Sequence, residues 1–176
     1  MAFDGSYPRQ VREAGVVHRI FVRRARCEAC GTGEALLPDV VLRRRLDSTT
    51  AVGAAVLAHG GHPVTSEAAA LYDGVAARTV RSWCQRFAER ADELTARFAA
   101  LCVEWRGELP RDAPTPVTRA IASIGAVWHA SRRRRDHDVP PPWRLANVIV
   151  GGQLISTRVD LPWPIVTARI GRAKGP

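Results

Sequence analysis

Two groups of residues have types and spacings suited to chemistry. Cys27-Glu28-Ala29-Cys30-Gly31 sets two thiols two residues apart. As thiolates they can grip one Zn²⁺, with Gly31 easing the turn beneath the metal. A structural zinc takes four ligands, so Cys27 and Cys30 supply half a site. His18 is a candidate substitute, although a lone histidine on a strand is more often a surface or packing residue. No cysteine precedes Cys27, and Met1 stands where a first knuckle would be expected. The expectation is that the chain begins too late for that knuckle or that the site has decayed. A redox role would need a thioredoxin-like βαβ context, which the surrounding sequence does not suggest. The second group is Arg78, Arg81 and Gln85, at steps of three and four. On a helix they share a face. Arg pairs with guanine O6 and N7, and Gln with adenine, so the face is suited to reading base edges in a major groove.

The elements that must position these residues follow from periodicity. Thr65 to Phe87, TSEAAALYDGVAARTVRSWCQRF, reads as a short helix, a tight turn and a longer Arg-rich helix, the pattern of a helix-turn-helix. Thr65 or Ser66 caps a helix over Glu67 to Tyr72, and Asp73-Gly74 supplies the turn. The next helix is predicted from about Ala77 well past Phe87. Its apolar stripe is Val80, Trp83, Phe87, Ala91, Leu94, Phe98, Leu101 and Trp105, which is core spacing. Val80, Trp83 and Phe87 would hold the helix, and Val75 would fill the turn. Ala77 and Ser82 are secondary candidates near the groove. Thr79 is a candidate for a phosphate contact or for the helix cap. The plainer reading is a helical hairpin with a solvated Arg face.

Upstream, Tyr7 to Arg26 alternates like a β-hairpin turning at Glu13-Ala14-Gly15. Val16, His18, Ile20 and Val22 would take one face, and Val17, Arg19, Phe21 and Arg23 the other. Ser48 or Thr49 caps a helix that Gly60-Gly61 and Pro63 stop. Downstream, Gly107 to Pro116 is a Pro-rich linker and Val117 to Ser131 a helix. Trp143 to Leu154 carries a last short helix. The run Arg132, Arg133, Arg134, Arg135 suits phosphates, and equally suits a helix C-terminus, where cations complement the macrodipole. Cys84 and Cys102 fall on the long helix as small core residues.

Composition narrows the class of partner. The 176 residues hold 46% hydrophobic residues, enough for a packed core, and 26 Lys+Arg against 17 Asp+Glu leave a charge of +9. Lys174 is the single lysine. A GC-rich genome accounts for much of the preference for Arg but not for the net charge, which favours a polyanion. No apolar run is long enough to span a bilayer, and the first ten residues lack the apolar stretch of a signal peptide. The expectation is a cytoplasmic protein, with its cysteines reduced.

The order of parts resembles a bacterial family of unknown function. An Arg-rich strand enters CEACG, ALLP follows, then TSEAAALYDGVAARTVRSWCQRF and finally WRLANVIVGGQLIST. Members carry an N-terminal zinc ribbon followed by a helix-turn-helix and look related to the DNA-binding ends of insertion-sequence transposases. The resemblance spans Tyr7 to Trp163, and this chain departs from it by lacking the first knuckle. It implies zinc at Cys27 and Cys30 and DNA at the helix-turn-helix, and no reaction.

A transposase catalytic core needs clustered carboxylates holding two metal ions. Asp39, Asp47, Asp73, Asp92, Asp112, Asp136, Asp138 and Asp160 fall mostly in predicted loops, and Asp136-His137-Asp138 adjoins the Arg run as a solvated loop. The sequence therefore predicts a mainly α fold: a homeodomain-like helix-turn-helix with a small N-terminal β-hairpin or zinc-ribbon-like part. Its divisions would be 1–47 (hairpin and degenerate ribbon), 48–106 (DNA-binding helices) and 107–176 (linker and C-terminal helical segment). The expected function is sequence-specific binding of double-stranded DNA without catalysis, by a transposase-derived or regulator-like protein, with a homodimer as a compatible state. The competing expectation is a protein-interaction subunit presenting Trp128, Trp143 and Trp163 to a separate catalytic or regulatory protein.

Overall fold

A computed structural model of the chain describes residues 2–60, 62, 65, 75–134 and 138–156. The expected helix over Glu67 to Tyr72, the Asp73-Gly74 turn, Arg135, Asp136, His137, Asp160 and Trp163 lie outside them.

The chain begins as an antiparallel hairpin of β1 (Ala2–Glu13) and β2 (Val16–Arg26). Ala14 and Gly15 turn it, at φ 47° and 76°. Two positive φ values give the mirror-image turn whose twist suits a hairpin, although an L-residue such as Ala14 pays about 1–2 kcal/mol to adopt it. The register shifts between Phe3 and Ser6, where Gly5 stands at φ 89°. β1 is an edge strand, which lets it carry Pro8 without losing a ladder bond. β3 (Gly33–Leu36) then pairs antiparallel with β2, so the sheet order is β1-β2-β3.

The described residues thus hold a three-stranded antiparallel sheet, 21% strand, beside five helices, 46% helix. This overturns the expectation of a mainly α fold with a small hairpin: the chain is mixed α/β. Two features hid the extra strand content. The Gly5 irregularity and Pro8 break the period-two alternation in β1. β3, with the sequence GEAL, is too short and too mixed to show a pattern.

The helices are α1 (Thr49–His59), α2 (Ala77–Glu89), α3 (Ala91–Glu104), α4 (Pro116–Arg134) and α5 (Pro142–Ile149). Ser48 caps α1, its Oγ accepting from the Ala51 N–H at 3.0 Å. Gly60 closes it at φ 45°, donating to the Val56 carbonyl. The single long helix expected from Ala77 is broken at Arg90, where φ is −107° and ψ 0°. Arg90 is buried. Its guanidinium donates to the Gln153 carbonyl and to the Glu93 carboxylate. The stripe of buried side chains continues across the break, from Val80, Trp83 and Phe87 to Ala91, Leu94, Phe98 and Cys102. Helical spacing persists on both sides, so periodicity alone could not reveal the bend.

At the start of α4, Thr115 and Thr118 satisfy each other. The Thr118 N–H donates to Thr115 Oγ1 at 3.1 Å, and the Thr115 N–H to Thr118 Oγ1 at 3.0 Å, a reciprocal cap. α5 opens on Pro142, whose missing N–H costs nothing in a first turn.

One apolar core gathers residues from all five helices together with Leu42, Leu154 and Ile155. Trp143 is a wedge within it. A Cβ added at Gly53 of α1 would stand 2.2 Å from Trp143 Cγ, and the Phe87 ring meets Trp143 edge-on at 5.7 Å. Residues 37–48 fasten the sheet to this body. Asn147 Nδ2 donates to the Asp39 and Val41 carbonyls at 3.0 and 2.9 Å. Arg144 meets Asp39 at 2.6 Å and Arg12 meets Asp47 at 2.6 Å. Arg9 donates to the Leu42 and Arg45 carbonyls, each at 2.7 Å.

Candidate nucleic-acid interface

α2 is divided lengthwise by its sequence. Val80, Trp83 and Phe87 are buried, while Arg78, Arg81 and Gln85 are exposed. An exposed cationic face on a helix anchored by large apolar residues is the arrangement that groove entry requires. Among the described residues, Arg78 and Arg81 make no hydrogen bond or ion pair, so neither must break one to meet a base. Gln85 differs, because its Nε2 donates to Glu89 Oε1 at 3.0 Å. Reading adenine would require that bond to yield.

The secondary candidates divide. Ser82 is half-buried and its hydroxyl accepts from Arg86 Nε at 3.0 Å. Thr79 does not cap α2: the cap residue is Ala76, whose carbonyl accepts the Thr79 N–H at 2.8 Å. Of the two roles expected for Thr79, only the phosphate contact remains. Ala77 is packed against the core, as is Val75, so Ala77 is a supporting residue rather than a groove residue.

Arg132, Arg133 and Arg134 form the last turn of α4 and are exposed. Arg132 lies over the Trp128 ring at 4.9 Å and Arg134 over the Trp105 ring at 5.8 Å. Such stacking orients a guanidinium without neutralising it. The run is carried by α4, which packs chiefly on α3.

Sequence reasoning passed over one gathering of cations. Arg45, in the segment joining sheet to helices, is partly buried, and its guanidinium has a pKa below its ordinary value. Burial is the larger cause, and the like charge of Arg86 on α2 the next. Arg86 thus extends the basic character of α2 toward Arg45. The only signal was the LRRRLD run, which looked like a connection.

The cysteine pair occupies the β2–β3 turn. Gly31, at φ 70°, donates to the Cys27 carbonyl at 2.8 Å, and the Cys27 N–H donates to the Thr32 carbonyl at 2.9 Å. Arg26 Nε braces the turn through the Gly31 carbonyl at 2.9 Å. Both thiols are free, and Cys30 is exposed. Hydrogen bonding to the Thr32 side chain, then to its backbone and to Cys27, holds the Cys30 thiol below its ordinary pKa, which favours the thiolate that a metal needs. Two thiols in one turn could give two of the four ligands a structural zinc takes. Among the described residues no group of three or more His, Cys, Asp or Glu is placed to hold a metal. His18 pairs with Val11 in the ladder and lies nine positions from Cys27, about 30 Å along the strand, so it cannot complete the site. Cys84 and Cys102 are the packing residues expected: burial pushes both thiols up.

No protein-family profile, curated protein or solved structure matches the chain. Among the described residues no helix is long and apolar enough to cross a membrane.

Proposed function

We propose that the chain is a sequence-specific, non-catalytic binder of double-stranded DNA, of transposase-derived or regulator-like kind, that uses α2 as its recognition helix. The observation that carries this reading is the division of α2: Val80, Trp83 and Phe87 anchored in the core, Arg78 and Arg81 exposed with no partner among the described residues. Arg78, Arg81 and Gln85 read base edges. Thr79, Arg132, Arg133 and Arg134 approach phosphates, which fix position without carrying sequence, and Ser82 is a secondary candidate near the groove. The protein works in the cytoplasm, and a homodimer would place two such helices on half-sites one helical turn apart.

Zinc enters this reading as a structural ion to which Cys27 and Cys30 give two ligands, the site being incomplete in this chain. It would stiffen the β2–β3 turn and supply no chemistry. Metal analysis of the purified chain, with and without Cys30→Ser, tests it.

The reading of a protein-interaction subunit needs exposed tryptophans. Trp143 is taken up between Gly53 and Phe87, and Trp128 Nε1 donates to the Pro140 carbonyl at 3.0 Å. These packing roles leave the DNA reading the better supported. An electrophoretic shift with random-sequence duplexes tests it: the expected result is binding at low salt that weakens as salt rises.

A further inference from the structure

The outer face of the β1–β2 ribbon has no use in the reading of α2. Along β2 it presents Val17, Arg19, Phe21 and Arg23. Phe3 joins the row because it pairs with Ala25, two positions beyond Arg23, and Ala25 itself is buried. Phe3 is 70% exposed and Phe21 64%, a costly placement for two phenylalanines in water. Each carries a guanidinium: Arg19 lies over the Phe21 ring at 5.8 Å and Arg23 over the Phe3 ring at 5.4 Å. Cation, aromatic, cation, aromatic therefore follow one another, about 7 Å apart along the ribbon. Glu34 on β3, which pairs with Ala25, meets Arg43 at 3.5 Å, and Asp47 meets Arg12 at 2.6 Å.

Charge narrows what can cover this face. A second copy laid face to face would set Arg19 and Arg23 against their own kind. The segment beyond Ser156 carries Arg158, Arg169, Arg172 and Lys174 against Asp160, again the same sign. The complementary occupant is anionic, and the two aromatic rings call for one with flat faces. Phosphates for the guanidinium groups and unstacked bases for the rings meet both demands.

We propose that the outer face of the β1–β2 ribbon, through Phe3, Arg19, Phe21 and Arg23, is a second nucleic-acid surface that binds a single strand by stacking and charge. It is separate from α2 and does not depend on α2 reading duplex DNA. A site joining both surfaces would suit DNA that is paired on one side and opened on the other.

The test uses the full chain and a fluorescein-labelled oligothymidylate, read by anisotropy. Phe21→Ala weakens binding by about 5- to 150-fold and leaves the salt slope unchanged, as loss of one stacked base should. Phe21→Tyr keeps the ring and binds like the parent. Arg19→Ala with Arg23→Ala lowers the salt slope by about 1.4, at roughly 0.7 per phosphate on a single strand. Arg81→Ala, which the α2 reading expects to weaken duplex binding, leaves oligothymidylate binding intact. Phe21 is exposed, and a circular dichroism spectrum matching the parent confirms the fold of each variant. No oligothymidylate binding at low salt, or Phe21→Ala binding like the parent, overturns the proposal. Polyglutamate binding with the same dependence on Phe21 also overturns it and reassigns the face to an acidic protein.

Discussion

The helical body and the β-ribbon use phenylalanine in opposite ways. In the body, Phe87 and Phe98 are 0% and 1% exposed, stacked in a core that also takes Trp83, Leu94 and Trp143. In the ribbon, Phe3 and Phe21 stand in solvent under arginines. The same side chain is structural mass in one region and available surface in the other. Hydrophobicity alone therefore does not locate the core of this chain. Strand alternation, which sends Phe21 and Val22 to opposite faces, makes the distinction.

Substitution should separate the two regions sharply. Trp83→Ala leaves a cavity in the body and is expected to cost about 3–5 kcal/mol in urea unfolding. Phe21→Ala should change stability by no more than about 0.5 kcal/mol. Comparable losses from both would mean that the ribbon face is covered and that the contrast fails.

The contrast extends to arginine. Arg90→Met removes the buried guanidinium that joins Gln153 to Glu93 at the bend. A loss of about 2–3 kcal/mol is expected, whereas Arg78→Ala on the exposed face of α2 should cost almost nothing in stability. Equal thermal shifts for these two variants would erase the division between structural and surface arginines.

Within the ribbon, Ala14 holds a positive φ that asparagine tolerates better. Ala14→Asn should raise stability by about 0.5–1 kcal/mol, visible as a higher melting temperature with an unchanged circular dichroism spectrum. A lower melting temperature would show that the turn differs from the one described.

The smallest expected difference concerns the thiols. Hydrogen bonding lowers Cys30, while burial raises Cys84 and Cys102. The thiolate is the reactive form, so Cys30 should be alkylated at a lower pH than either. Mass mapping after brief iodoacetamide treatment across a pH series reads the order, and earlier labelling of Cys84 would contradict it.

What the sequence made legible follows the same division. Val80, Trp83 and Phe87 were readable as the buried side of α2 because helical spacing and burial coincide there. The hairpin turn was readable from Gly15. The bend at Arg90 was not, since apolar spacing continues across it and the buried guanidinium's partner, Gln153, lies far away in the chain. β3 was not, since four residues carry no period. The outward pairing of Arg with Phe was half-visible: Arg19, Phe21 and Arg23 were assigned to one face, but Phe3 joins them only through the cross-strand register.

The proposed role of α2 is to read duplex DNA. The most direct measurement is the affinity of the parent chain, Arg78→Ala and Arg81→Ala for a duplex selected from a random library, beside an unselected duplex. Each substitution should weaken selected-site binding by about 5- to 150-fold, the worth of one bidentate base contact, and relax base preference. Arg133→Ala should instead weaken both duplexes alike and reduce the salt slope by about 0.9. A parent chain that shifts no duplex at low salt would contradict that role for α2.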